Sequence, residues 1–297
     1  MSNDIRLKLA IQKSGRLAEG SIKLLEKCGV NLLKSKDQLF CRAQDFPLDV
    51  YFVRDDDIPT FVSSGTCDLG IVGQNVLRDQ QMAGDDERVK SLKSILDLGF
   101  GKCRLSIAVP NCFEYQGLKS LNGRRIATSY APILKDYLSK KNINCDFVSM
   151  QGAVEIAPRI GMADGICDLV STGTTLTMNG LREVEVIMKS QSVLVQCADI
   201  EDKKKNLLER FLLRLQGVLS AKSSKYVMLH CTKDNLEKIK SSIPGSESPT
   251  VLNLQGRDDL VAVHAVCDEG IFWNTMEDLK ALGASSILVM PIEKMLD

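Results

Sequence analysis

Residues 165–175 read Gly165-Ile166-Cys167-Asp168-Leu169-Val170-Ser171-Thr172-Gly173-Thr174-Thr175. A short apolar run, Ile166 to Val170, stops abruptly in five residues, four bearing hydroxyls and one a glycine. The run predicts a buried strand. The loop predicts an anion cradle, because main-chain N–H groups and hydroxyls can converge on one phosphate where glycine lets the backbone come close. Asp168, just upstream, offers a carboxylate to sugar hydroxyls, so acid plus loop suits a ribose 5-phosphate. A strand end followed by a polar turn and a helix N-cap would use the same residue types. Earlier in the chain, Gly65-Thr66-Cys67-Asp68-Leu69-Gly70-Ile71-Val72-Gly73 matches residues 165–173 at five of nine positions, with an offset of 167 − 67 = 100. The echo predicts two similar α/β lobes facing each other across a cleft. Ligands in such folds sit beyond the carboxyl ends of strands, so both glycine-containing loops should line that cleft.

The flanking sequence alternates strands and helices. Arg6–Ile11, Leu48–Val53 and Cys67–Val72 read as strands, with helices over Leu17–Cys28 and Pro59–Ser64. A second round follows: strands at Arg104–Val109, Arg125–Thr128 and Cys145–Met150, helices at Pro132–Lys140 and Ala153–Ala163. This order implies largely parallel sheets. Glu183–Val195 reads as strand-rich chain crossing back to the first lobe, and Lys203–Val218 as a long amphipathic helix. Ala221–Lys225 is small and polar and is expected to be a linker. From Tyr226 the order becomes βαββαβ, the ferredoxin-like plan, without a catalytic cluster. Oligomerisation and small-ligand regulation are the two roles this domain suggests.

Composition narrows the chemistry. The 297 residues suffice for two or three domains. Lys+Arg and Asp+Glu number 38 each, so no broad field draws nucleic acid or an anionic membrane, and any anion site must be local. The ten cysteines form no C-x-x-C pair and there are only two histidines, His230 and His264, so a zinc site is not expected. Both histidines fall in the last domain, which argues against imidazole catalysis. Met1–Ala10 carries Asp4, Arg6 and Lys8 without an apolar core, and no run of about eighteen apolar residues follows, so neither a secretory signal nor a membrane span is expected. A reducing, cytoplasmic location is the expectation, with the cysteines as small buried apolar residues.

Gln12-Lys13-Ser14-Gly15-Arg16-Leu17, Cys67–Gly73, Gly152-Ala153-Val154-Glu155, Cys167–Leu176 and the tail Gly283-Ala284-Ser285-Ser286-Ile287-Leu288 together resemble the long form of ATP phosphoribosyltransferase, the family that opens histidine biosynthesis. The resemblance runs nearly end to end. It implies a catalytic core with two lobes like type II periplasmic binding proteins, residues 1–100 with 190–222 and residues 101–189, followed by an ACT-like regulatory domain over 225–297. It also implies a Mg²⁺-dependent reaction, in which N1 of the adenine of ATP attacks C1 of phosphoribosyl pyrophosphate (PRPP). Pyrophosphate leaves and N1-(5-phosphoribosyl)-ATP forms. Such chemistry builds oxocarbenium character and needs positioning and electrostatics rather than a protein nucleophile. Homodimers and homohexamers are implied, with histidine as inhibitor and AMP as a further candidate.

Carried onto this chain, the resemblance assigns Ser171, Thr172, Gly173, Thr174 and Thr175 to the 5-phosphate of PRPP, and Asp168 and Glu155 to its ribose hydroxyls. Many relatives have Ala at the position of Thr174, so its backbone counts for more than its hydroxyl. Arg16 and Lys13 are expected to meet phosphates from the first lobe, Arg16 with the bidentate geometry that guanidinium allows. Arg54, Asp68, Gly70, Gly73, Arg104 and Tyr130 are expected around the nucleotide. Part of the run Asp55-Asp56-Asp57 could serve Mg²⁺ or dimer contacts, though a solvated, self-repelling turn fits equally. Asp68 fits a structural strand-end carboxylate, and Lys13 a solvated loop charge. Histidine is expected around Thr232, Ser246, Thr250 and Ser286. The rival reading is a non-catalytic two-lobed sensor with a dimerising tail; a sensor of plain amino acids has no need of a phosphate cradle. A transcription factor's effector-binding region is not expected, for want of a DNA-binding segment.

Overall fold

The computed structural model describes residues 5–33, 35, 38–84, 86–243, 248–268 and 273–296. The chain forms two compact units, residues 1–207 and 208–297. The first unit opens with β1 (Leu7–Gln12), α1 (Arg16–Lys27), β2 (Phe40–Arg42), β3 (Leu48–Val53), α2 (Ile58–Ser63), β4 (Leu69–Gly73), α3 (Gln74–Ala83), α4 (Glu87–Lys90) and β5 (Ser94–Asp97). It continues with β6 (Cys103–Pro110), β7 (Arg125–Thr128), α5 (Ala131–Lys140), β8 (Asp146–Ser149), β9 (Gly165–Val170), α6 (Thr174–Met178), β10 (Leu181–Ser190) and β11 (Ser192–Gln196). Helix α7 (Asp202–Lys222) begins in this unit and ends in the next.

Two sheets divide the first unit into lobes. The first is ordered β2-β3-β1-β4-β11-β5 and the second β10-β6-β9-β7-β8. In the first, β1 lies parallel between β3 and β4, and β11 lies antiparallel between β4 and β5. In the second, β7 lies parallel between β8 and β9, and β6 antiparallel between β9 and β10. Thus β3-β1-β4-β11-β5 and β8-β7-β9-β6-β10 are one topology used twice. In each, the antiparallel strand is the one that arrives from the other lobe. This is the two-lobed architecture of type II periplasmic binding proteins. The echoing segments supply β4 and β9, which hold equivalent central places and end, at Gly73 and Val170, in the two glycine-containing loops.

Local chemistry accounts for the elements around the cleft. Helix α1 buries Ala18, Ser21, Leu24 and Leu25 at three- and four-residue spacing. It closes at Gly29, whose φ of 71° frees the Val30 N–H to reach the Leu25 carbonyl at 2.9 Å. Three sequence expectations fail. The two sheets are mixed rather than largely parallel, with four parallel and five antiparallel strand pairings, because the strands that cross between the lobes and the edge strands β2, β5 and β10 run against their neighbours. No helix spans 153–163: only a 3₁₀ turn forms at Val154–Ile156. Gly152 (φ 84°), Ala153 (φ 52°) and Gly161 (φ 75°) are left-handed and Pro158 lacks an N–H, so the α-helical ladder cannot propagate. Nor is 221–225 a linker, since α7 runs to Lys222 and the next strand starts at Ser224.

The second unit carries β12 (Ser224–Thr232), α8 (Leu236–Ser242), β13 (Thr250–Leu254), β14 (Arg257–Asp268), α9 (Trp273–Ala281) and β15 (Ser285–Pro291). Its sheet order, β13-β14-β12-β15, with antiparallel neighbours, is the ferredoxin-like plan. Alternate residues Val227, Leu229, Cys231, Val261 and Val263 pack with Ile239 and Leu279 of the two helices. Among the described residues no helix is long and apolar enough to cross a membrane.

Candidate active site

Strand β9 delivers the hydroxyl loop. After Val170 the chain turns through Ser171 and Thr172, Gly173 takes φ 85° and ψ −3°, and α6 starts. A left-handed residue here is cheap only for glycine. Ser171, Thr172, Thr174 and Thr175 are exposed, while Leu176 is buried and anchors the loop from below. Thr172 Oγ1 and Thr174 Oγ1 lie 3.0 Å apart, so the two hydroxyls present together. The first N–H groups of any helix lack intrahelical acceptors, which leaves those of α6 to face a ligand. Beneath the loop, Arg104 Nη1 donates to the Ser171 carbonyl at 3.0 Å, and Arg104 is ion-paired with Glu183.

The cleft has a cationic side and an acidic side. A cavity of about 620 Å³ is lined by Arg16, Lys23, Lys102, Gly73, Asn75 and Ser171, among others. Arg16 and Lys23 of the first lobe, with Lys102 just past the crossover, therefore share a cavity with the first residue of the hydroxyl loop. An adjoining cavity of about 550 Å³ shares Asp55 and Val76 with it and adds Asp56, Asp79, Tyr130, Gly152 and Asp168. Burial pushes the Asp168 carboxyl up to about 6, against the Leu169 N–H that donates to it at 2.8 Å, and the Glu155 charge adds to the rise. Asp79 is likewise raised to about 6 by burial, opposed by the Ile133 N–H in the first turn of α5. Among the described residues no three His, Cys, Asp or Glu side chains converge to hold a metal. Mg²⁺ typically uses one or two carboxylates together with substrate phosphates, so the acidic side fits a cation that arrives with a polyphosphate.

A family model described as ATP phosphoribosyltransferase matches residues 54–217, more than half of the chain, and one described as the HisG C-terminal domain matches residues 221–294. The chain belongs to the ATP phosphoribosyltransferase family. It is accordingly a pentosyltransferase of histidine biosynthesis. Among solved structures it is similar to the ATP phosphoribosyltransferase of the HisG:HisZ complex from Thermotoga maritima. That match has 28% identity and a TM-score of 0.59 over 71% of this chain and 96% of that one. Lower similarity links it to Tv2483 bound to L-arginine (13% identity, TM-score 0.47, 71% and 84% covered). It is also similar to the probable amino-acid transporter binding protein ytmK of Bacillus subtilis (14%, 0.46, 71% and 91%).

Within this ATP phosphoribosyltransferase the cleft gathers Arg16, Gly73, Tyr130, Asp168 and Ser171. Glu155 stands in the 3₁₀ turn after Gly152 and acts on Asp168 through its charge. Arg54 is exposed just ahead of the acidic turn, and the Lys13 amide donates to the Val53 carbonyl. Asp68 and Gly70 lie apart from the cleft. Asp68 precedes β4, at the end opposite Gly73, and its carboxylate takes the Lys204 ammonium at 2.9 and 3.0 Å and the Lys8 N–H at 2.7 Å. Gly70 is buried in mid-strand, where a Cβ would approach Ile58 Cγ2 to 2.6 Å. Its role is packing.

In the second unit Thr232 ends β12, Ser286 sits in β15 with φ 49°, and Thr250 opens β13 on the other edge of the sheet. Three strand spacings separate β13 from β15, about 14 Å, so Thr250 and Ser286 cannot share one small ligand within that sheet. Ser246 lies outside the described residues. His264 Nδ1 is 2.6 Å from the Tyr226 hydroxyl, so this histidine is engaged within the sheet.

Sequence reasoning missed Lys23, Asn75, Ser190 and Lys102. Asn75, at the start of α3, donates from Nδ2 to the Tyr130 hydroxyl at 2.9 Å. Its Oδ1 accepts from Ser190 Oγ at 2.8 Å. The amide thus ties both lobes to the crossover. Lys102 had a signal, the glycine-flanked run Gly99-Phe100-Gly101-Lys102 that turns into β6.

Proposed function

We propose that the interlobe cleft transfers the phosphoribosyl group of PRPP to N1 of the adenine of ATP, with the 5-phosphate on Ser171–Thr175. The observation that carries this reading is that Ser171 shares one cavity with Arg16, Lys23 and Lys102. A phosphate cradle facing cations suits a substrate with phosphate at one end and pyrophosphate at the other. Asp168 and Glu155 accept hydrogen bonds from the ribose hydroxyls and favour the positive charge that builds at C1. The cationic side takes the departing pyrophosphate or the triphosphate of ATP. The C1–O bond breaks with its electron pair on pyrophosphate, and adenine N1 supplies the pair for the new C1–N bond. Asp55 or Asp56 would stand beside a Mg²⁺ carried mainly by the substrate phosphates, and such an ion would supply charge neutralisation to the leaving group. Histidine, with AMP as a further candidate, inhibits through the second unit, and the enzyme assembles as homodimers and homohexamers in the cytoplasm.

The test is to mix the protein with ATP, PRPP and Mg²⁺ and follow the near-ultraviolet absorbance of the N1-alkylated adenine, without and with histidine. Product is expected, and its suppression by histidine; absence of product counts against this assignment of the cleft. A pH series adds a second prediction. With Asp168 raised to about 6, its carboxylate form is lost as pH falls through that value, and kcat/KM for PRPP falls with it. The substrate phosphate titrates near the same pH, at about 6, but equally for every variant. The readout is therefore the ratio of wild type to Asp168→Asn, which is expected to shrink below about pH 6. A ratio constant from pH 5 to 8 counts against an ionised Asp168 at the ribose.

A further inference from the structure

The resemblance places Arg104 at the nucleotide. Its surroundings assign it another task. By the two-residue period of a strand, Glu183 and Glu185 of β10 belong on one face of the sheet. The register prevents this: Glu183 pairs with Ala108 but Glu185 with Ile107, so Val184 is an extra residue in a bulge. The bulge turns the two carboxylates to opposite faces. Glu185 accepts from the Tyr137 hydroxyl at 2.6 Å. Glu183 joins Arg104 and Ser106, which share the other face of β6.

On that face Arg104 Nε and Nη2 each hold one oxygen of the Glu183 carboxylate, and Ser106 Oγ donates to the same group at 2.7 Å. The guanidinium fork is therefore occupied by a carboxylate, the arrangement that would otherwise suit a phosphate. Arg104 also sits opposite Val170, the last residue of β9, and its Nη1 reaches one residue further to the Ser171 carbonyl at 3.0 Å. The Arg104 guanidinium keeps Glu183 below the usual carboxylate range, so the pair stays ionised through neutral pH.

We propose that Arg104 is a positioning residue, clamped by Glu183 and holding the Ser171 carbonyl so that the hydroxyl loop leaves β9 at the angle that the 5-phosphate needs. The proposal rests on the reading of Ser171–Thr175 as the cradle. It makes a bulge in β10, the strand that follows the loop and α6, part of the PRPP site.

Arg104→Met, Glu183→Gln and the double variant are compared in kcat, in KM for PRPP and for ATP, in calorimetric binding of ribose 5-phosphate, and in melting temperature. Each single change is expected to raise KM for PRPP by about tenfold, the effect of losing one charge-assisted bond. The kcat and the KM for ATP should change little. The double variant is expected to be no worse than the weaker single, because both break one brace. Arg104→Lys, which keeps a donor for Ser171, should recover part of the loss. If Arg104 instead binds substrate, Glu183→Gln frees its fork and leaves KM for PRPP unchanged or lowered, and the proposal falls. A lowered melting temperature with unchanged KM also overturns it. Should Arg104→Met fail to fold, Ser106→Ala and Glu183→Gln carry the same comparison from the carboxylate side. Failure of the underlying reading is separate: the loop variant described below would then keep its PRPP affinity.

Discussion

A variant carrying Thr172→Ala and Gly173→Val is expected to keep its fold and lose phosphoribosyl transfer, with kcat/KM for PRPP down about a thousandfold or more. Gly173 stands at φ 85° and ψ −3°, and a β-branched residue there costs roughly 1–3 kcal/mol of backbone strain. Space is not the obstacle, since a Cβ at 173 would meet only Val170 Cγ1, at 4.0 Å. The loop relieves that strain by turning its backbone away, which swings the amides ahead of Thr174 and Thr175 off their target. Thr172→Ala removes the hydroxyl that sits 3.0 Å from Thr174 Oγ1, so the paired presentation goes too. Stability should suffer little, because the loop is exposed and Leu176 remains to plug the core beneath it. Circular dichroism and thermal melting check the fold, and initial rates over a PRPP series check the site. Near-normal turnover in a folded protein would take the phosphate away from this loop. Gly173→Ala, with less side-chain crowding at the same φ, is expected to fall between the two.

The lobes were readable because the echo at residues 65–73 and 165–173 samples the same place in a repeated topology. An apolar run ending in glycine tells both what the strand is and where it stops. The helix expected over 153–163 was not readable, since spacing of apolar residues says nothing about Gly152 and Ala153 adopting left-handed backbone ahead of it. Asp68 and Asp168 share a motif yet differ in task, for a reason no local pattern contains. Lys204, 136 residues downstream, lies against the first, while Glu155 and Tyr130 lie near the second. Arg104 shows the same limit. Its type suits a phosphate, but the bulge that brings Glu183 onto it depends on register between β6 and β10, which sequence does not specify. Asn75 and Ser190 are small polar residues with no motif, and their value lies in meeting where the chain passes between lobes.

Lys204→Met is expected to destabilise the catalytic unit by about 3 kcal/mol, roughly a 10 °C fall in melting temperature, while leaving KM for both substrates unchanged below the transition. The Lys204 and Asp68 side chains are 10% and 9% exposed, so water screens the pair weakly and methionine would strand the carboxylate. Asp68 also accepts the Lys8 N–H at 2.7 Å and its own N–H donates to the Lys8 carbonyl at 3.0 Å, which makes it the clip between β1, β4 and the start of α7. Burial pulls the Lys204 ammonium down, and hydrogen bonds and charge from Asp68, with Glu201 helping, outweigh it and raise the group above the ordinary lysine value. A raised base contributes its stability fully below its unfolded pKa, near 10.5, and loses it only as pH climbs beyond that. The gap in melting temperature between wild type and variant should therefore be flat from pH 6 to 9. Replacing both partners, Asp68→Asn with Lys204→Met, should recover part of the loss by removing the stranded charge. The competing expectation, that Asp68 lines the nucleotide, predicts the reverse pattern: an ATP KM that rises in Asp68→Asn with the melting temperature unmoved. Gly73 marks the cleft end of β4 and Asp68 precedes the other end, so strand length alone, about 3.3 Å per residue, keeps Asp68 some 15 Å from Gly73.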